Sequence, residues 1–187
     1  MNITARLSAL SLLIFGVSGC GMSEQDDTAM AATYRVDERA PIKSAGSIII
    51  SAPPRTVWKY ITDINSWPSW RPEVSASHLD GSPTAGTSFT WTVDGTDIKS
   101  QIAGVDVQRR IAWTGYTMGL TAIHLWMVQP LGPGKTLVRT TESMTGFPSS
   151  LFYSSADLQS TNAKWLSDLK RISEKDDRIN DKRNRHS

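Results

Sequence analysis

The 187-residue chain predicts an α+β fold, with an antiparallel sheet packed on one long C-terminal helix. Three observations carry that expectation. Residues 87–145 alternate apolar and polar in runs separated by hairpin-length turns. Leu151, Leu158, Trp165, Leu169 and Ile172 then fall on one helical stripe among polar residues. Ahead of both, a short strand and a short amphipathic helix lead into a turn holding two tryptophans.

The elements follow in order. Arg6 and the apolar run Leu7–Val17 make a short positive segment and a core of 11 residues. A bilayer-spanning helix needs about 20, so the run reads as a secretory signal peptide, residues 1–19. It ends in Val17-Ser18-Gly19-Cys20, which resembles the bacterial lipobox, in which the cysteine is acylated and becomes the mature N-terminus. An ordinary signal peptide with an incidental cysteine is the alternative. Cys20 is the single cysteine, so no internal disulfide forms. Gly21 and Met22 follow it rather than an aspartate, and by resemblance to enterobacterial sorting this points to the outer membrane, facing the periplasm. Residues 20–44, polar and with few periodic apolar positions, read as a flexible tether.

Ser47–Ser51 is a β-branched strand, broken by Ala52-Pro53-Pro54. Val57, Trp58, Ile61 and Ile64 recur at helical spacing, giving a helix that ends near Asp63. In Trp67-Pro-Ser-Trp70-Arg-Pro72 the prolines bias the chain away from helix, and the two indoles suggest a lid over an apolar hollow. Phe89, Trp91 and Val93 share one face of the next strand, and Asp94-Gly95 turns it into Ile98–Val105. Strands over 109–115, 120–128 and 136–145 complete a set of six. From Glu174 onward charges of both signs crowd together, so 175–187 reads as a disordered tail.

Composition closes off several function classes. The chain is 39% hydrophobic, enough for one good core, and its formal net charge of +2 with no long basic block inside the strand region argues against nucleic-acid binding. The three histidines, His78, His124 and His186, form no metal-ligand spacing, no serine sits in a nucleophile elbow, and Gly132-Pro-Gly134 lacks the strand-to-helix context of a phosphate loop. Neither cofactor nor metal is expected.

The segments SAPPRTVWKYITDINSWPSW and HLWMVQPLGPGKTLVRTTESMTG, with the closing helix, resemble the polyketide cyclase/dehydrase and lipid-transport group of the START-like (SRPBCC) superfamily. The Gly134-x-Thr136-x-Val138-x-x-x-Glu142 pattern adds to the resemblance, which covers residues 45–173 of an expected domain 45–174. It implies the helix-grip fold, a curved antiparallel sheet wrapped around the C-terminal helix with a deep apolar cavity between them. Members bind lipids, sterols or polyketides, and some catalyse reactions on them. One fold carries many functions, so activity does not follow.

The hairpin 120–145 allows a sharper expectation. If 131–135 turns, then Pro130 faces Thr136, Val128 faces Val138, Trp126 faces Thr140 and His124 faces Glu142, all on the inner face. His124 and Glu142 are then a satisfied buried pair, a group that orients a ligand's polar end, or an acid and base. Trp91, Ile102, Trp113, Trp126 and Trp165 are candidate cavity walls or plain core, Trp67 and Trp70 the candidate lid, and Phe147 a candidate rim residue. The reading is a monomeric, membrane-anchored protein that binds a small hydrophobic ligand, more a binder than an enzyme. A cyclase or dehydratase using His124 and Glu142 is the runner-up, and an envelope scaffold with a filled hollow is a third class.

Overall fold

The computed structural model describes residues 24–146 and 153–184. Its elements are α1 (Glu24–Ala32), β1 (Ile42–Ile50), α2 (Pro54–Thr62), a 3-10 helix (Ile64–Ser69), β2 (Val74–Leu79), β3 (Ser88–Val93), β4 (Thr96–Asp106), β5 (Arg110–Thr117), β6 (Leu120–Gly132), β7 (Lys135–Thr145) and α3 (Ser155–Asn184). All strands join one antiparallel sheet in the order β1-β7-β6-β5-β4-β3-β2. Strands β2 to β7 form a meander, and β1 pairs with the last of them. The connection through α2 and the 3-10 helix therefore crosses from one edge of the sheet to the other. This is the expected helix-grip arrangement, a curved sheet with a long C-terminal helix against its inner face.

The core lies between that face, α2 and α3. Ile50, Val57, Trp67, Ile102, Ile111, Val138 and Leu169 are each fully enclosed there. Helix α2 starts with proline in its first turn, where the missing N–H is no loss, and buries Val57, Trp58 and Ile61. Its last backbone bond runs from Asp63 N–H to Lys59 O, so the helix stops where the sequence predicts.

Register in the β6–β7 hairpin matches the sequence expectation. Pro130 pairs with Thr136, Val128 with Val138, Trp126 with Thr140 and His124 with Glu142. A one-residue slip in this pairing would turn the same large apolar side chains outward.

Four expectations need correction. The segment expected as a tether carries α1, and β1 begins at Ile42 rather than Ser47. Helix α1 lies on the outer face of the sheet and buries Ala31 against Ala112 and Ile123, with Met30 and Tyr34 beside them. Alanine supplies that contact, so the usual stripe of large side chains is missing. At Gly104, where the β4–β5 register shifts, a Cβ would stand 3.2 Å from the Tyr34 ring, so glycine admits the close approach. The charged tail is helical as far as Asn184, because Lys, Arg, Asp and Glu spaced three and four apart do not oppose a helix. A seventh strand, β2, occupies the segment after the Trp turn and forms the far edge.

The fourth correction concerns the paired indoles. Trp67 and Trp70 are 0% and 2% exposed, so they do not form an open lid. The 3-10 helix carries Pro68 within it and turns Trp67 inward, edge-on to Phe89, Trp91 and Trp165 with centroids 5.3–5.7 Å apart. Trp70 meets Tyr60 edge-on at 6.1 Å.

Candidate functional site

Between the inner sheet face and the first half of α3 lies a cavity of about 390 Å³. Its volume falls within the usual range for small-molecule sites. Strands β3 to β7 contribute side chains from one face by period-two alternation, and α3 closes the other side with Leu158, Asn162 and Trp165. Most of the wall is apolar. The turns β3–β4 and β5–β6 mark its mouth, with Asp94, Thr96, Thr117 and Met118 at the edge.

Of the predicted site residues, Trp91, Trp113, Glu142 and Trp165 line this space. Trp67, Ile102 and Trp126 are enclosed core and do not reach it; nor does Trp70. Trp126 supports the wall from behind, stacked on Trp113 at 6.4 Å and 5.0 Å from Trp165. His124 also sits behind the wall, 2% exposed, with Trp113 and Trp165 at 5.0 and 5.1 Å. Cys20 and Phe147 lie outside the described residues.

His124 and Glu142 are brought together as cross-strand neighbours. His124 Nδ1 stands 3.5 Å from Glu142 Oε2, longer than an ordinary hydrogen bond. The other ring nitrogen, Nε2, is 2.7 Å from the Thr140 hydroxyl. That hydroxyl donates to the Leu125 carbonyl at 3.1 Å, so toward the ring it acts as acceptor and Nε2 carries the hydrogen. Nδ1 is therefore the bare nitrogen, facing the carboxyl. Burial pushes the imidazole down to about 3, with the charge of Arg71 adding to the effect. Burial pushes Glu142 up to about 7, against the Asn162 hydrogen bond and the Arg71 charge. A neutral histidine thus backs a carboxyl that titrates near neutrality, and the carboxyl alone of the two meets the cavity.

Two residues at this site, Asn162 and Arg71, escaped the sequence reading. Asn162 donates from Nδ2 to Glu142 Oε2 at 2.9 Å and to Ser44 Oγ at 3.1 Å, while its Oδ1 has no partner among the described residues. It stands on the apolar stripe of α3, four residues after Leu158 and three before Trp165, and a polar residue in that register was the available signal. Arg71 is 0% exposed, lines the cavity, and places its guanidinium 3.8 Å from the centre of the Trp165 ring. Its Nη2 donates to Glu73 Oε1 at 2.8 Å, and Lys164 Nζ donates to Glu73 Oε2 at 3.0 Å. Burial opposes ionisation of Glu73, but these donors outweigh it and hold the carboxyl at about 2. Arg71 Nη1 has no partner among the described residues. No cluster of metal-ligating side chains occurs among them either.

A family model described as polyketide cyclase / dehydrase and lipid transport matches residues 41–175. The chain belongs to that family. Among solved structures, a hypothetical protein of Helicobacter pylori is similar at 18% identity and TM-score 0.66, over 73% of this chain and 90% of that one. A START superfamily protein from Mycobacterium smegmatis aligns at 16% identity and TM-score 0.61, over 71% and 97%. The Zhui aromatase/cyclase from Streptomyces sp. R1128 aligns at 12% and 0.59, over 71% and 93%. At these identities the likeness establishes the fold alone. No curated protein matches the chain. Family and fold together suggest a ligand-binding or cyclase-like protein of the START-like superfamily, and the family suggests a small hydrophobic ligand.

Proposed function

We propose that this chain holds a small lipid-like or polyketide-like molecule in its cavity, as a monomer anchored to the bacterial envelope through an acylated Cys20. The observation that carries the binding role is the cavity itself. About 390 Å³ stays open within a core otherwise filled by seven strands and α3, and indoles of Trp91, Trp113 and Trp165 stand along it. Rigid aromatic walls offer large apolar area with few rotamers to freeze on binding. The polar end of the ligand meets Glu142, Asn162 and Arg71, where Arg71 Nη1 and Asn162 Oδ1 have no partner among the described residues. The lipobox-like Val17-Ser18-Gly19-Cys20 supports the anchor and an outer-membrane, periplasm-facing location.

Native mass spectrometry of the protein purified from cells tests the binding role. A co-purifying hydrophobic molecule that is lost in a Trp91→Ala, Trp165→Ala double variant is the expected result. A protein that is always empty, and that shows no change in tryptophan emission with fatty acids or aromatic polyketides, contradicts it. A globomycin-sensitive shift in gel mobility tests acylation separately.

One observation favours an enzymatic second reading. Glu142 presents to the cavity a carboxyl pushed up to about 7, a range suited to proton transfer. In a cyclase or dehydratase it would act as the acid or base, with His124 Nδ1 behind it as the group that orients it. Glu142→Gln separates the readings: a binder keeps a ligand on its apolar walls with an altered head-group preference, whereas an enzyme loses turnover.

A further inference from the structure

We infer that the mouth of the cavity faces the bilayer, held there by the way α1 is docked, so that ligand passes directly between membrane and cavity. The inference rests on the anchored reading of Cys20 and adds an orientation to it.

The direction of α1 on the sheet is set at both its ends. Tyr34, just after the helix, packs on Gly104 with its ring under Arg110, whose guanidinium lies 4.0 Å from the ring centre. Arg110 is the first residue of β5. At the other end Glu24 shares a surface groove with Thr114, Gly115, Tyr116 and Thr121, residues flanking the β5–β6 turn. Helix α1 therefore begins beside that turn and runs away from it. The same turn, through Thr117, Met118 and Leu120, forms part of the cavity mouth. Both features lie at one end of the molecule.

Cys20 precedes Glu24 by four residues. A chain of that length reaches about 14 Å at most. Acyl chains on Cys20 thus hold the mouth end within that distance of the lipid surface. The opposite end of β6, at the β6–β7 turn, is 12 residues from Leu120, or roughly 40 Å along an extended strand. With β6 standing upright on the membrane, the tether keeps the β5–β6 turn as the lower end and the β6–β7 turn as the upper one.

The mouth also carries an unusual residue. Met118 is 75% exposed and adopts φ 47°, in the left-handed region. Turns of this kind prefer Asn, Asp or Gly, as the neighbouring Asp94-Gly95 turn shows at φ 48° and 77°. An exposed thioether in a strained position fits insertion among lipid headgroups, and Tyr116, 50% exposed, stands next to it. Apolarity alone does not choose the end, since Leu131 at the far turn is 45% exposed; the tether does.

The test uses the full chain made in a lipoprotein-processing bacterium and reconstituted into vesicles of phosphatidylethanolamine and phosphatidylglycerol. Benzoylphenylalanine is placed at Met118 or at Leu131, and lipid adducts are counted after irradiation. Several-fold more adduct from position 118 is expected. Equal yields, or more from 131, on protein that floats with the vesicles overturn the orientation while leaving the anchor intact. A chain that does not float overturns the anchor, and the orientation falls with it. If Cys20→Ala floats and still gives adducts chiefly at 118, the mouth docks by its own surface and the tether argument is wrong.

Discussion

At the scale of single residues, Glu142 has the clearest consequence. Its carboxyl is raised from 4.5 to about 7 in the folded protein. Between those values the unfolded chain has released a proton that the folded one still holds, so this residue makes stability fall as pH rises through that window. The loss approaches about 3 kcal/mol above pH 7, taking 1.36 kcal/mol per unit. Denaturation of Glu142→Gln at pH 5 and pH 8 should show that dependence removed. His124 acts with the opposite sign: held neutral down to about 3, it makes stability rise with pH up to its ordinary value of 6.5. The two effects oppose each other between pH 4.5 and 6.5, so the dependence due to Glu142 is read as the difference between variant and wild type at each pH, in which the His124 contribution cancels. The tryptophans divide by role. Trp67→Ala removes an enclosed ring and should cost about 3–5 kcal/mol in chemical denaturation. Trp91 is only partly buried at the cavity and its indole N–H bonds Ser100 Oγ at 3.2 Å, so Trp91→Ala should cost less and change ligand retention more. The pairing of His124 with Glu142 was legible because alternation fixes which side chains share a face. Their unequal access to the cavity was not, since it depends on Trp113 and Trp165 standing in front of the imidazole.

At the scale of elements, α1 shows what pattern reading misses. Its contact is made by Ala31 and by Tyr34 lying over Gly104, small surfaces that produce no apolar stripe. Gly104→Leu should displace this packing, with a loss of about 1–3 kcal/mol and faster hydrogen exchange confined to residues 24–34. If exchange rises evenly over the sheet instead, α1 is not an independently docked element. Asp27 faces the sheet from the same helix, 3% exposed, and burial, with the nearby charge of Asp37 adding, pushes its carboxyl up to about 6. Docking of α1 should therefore loosen as pH rises from 4 to 6, and Asp27→Asn should flatten that trend in exchange measurements. The other end of the chain behaves differently. Helix α3 is fixed by Leu158, Trp165 and Leu169 in its first half, and by Glu174 accepting from Ser51 N–H at 2.9 Å further on. Residues 178–183 are all exposed and mostly charged, so propensity and side-chain pairs shape these turns rather than burial.

At the scale of the whole molecule, the cavity is a tertiary property. If a ligand fills it, mass action raises the melting temperature with ligand concentration, by an amount equivalent to about 2.7 kcal/mol at a hundredfold excess over Kd. A melting temperature indifferent to every hydrophobic ligand bound in mass spectrometry would place those ligands outside the cavity. By itself the sequence determined the class of fold, the strand pairs of the β6–β7 hairpin and the apolar stripe of α3. Each follows from local periodicity, in which a one-residue error would turn every large side chain into water. Only the tertiary structure decided that Trp67 and Trp70 close the core instead of covering a hollow, because that depends on the distance between a 3-10 helix and strands far along the chain. It also decided that Arg71 and Asn162 share the cavity wall with Glu142. Residues 71, 142 and 162 carry no common local signal, and the bend of the sheet around α3 is what brings them together.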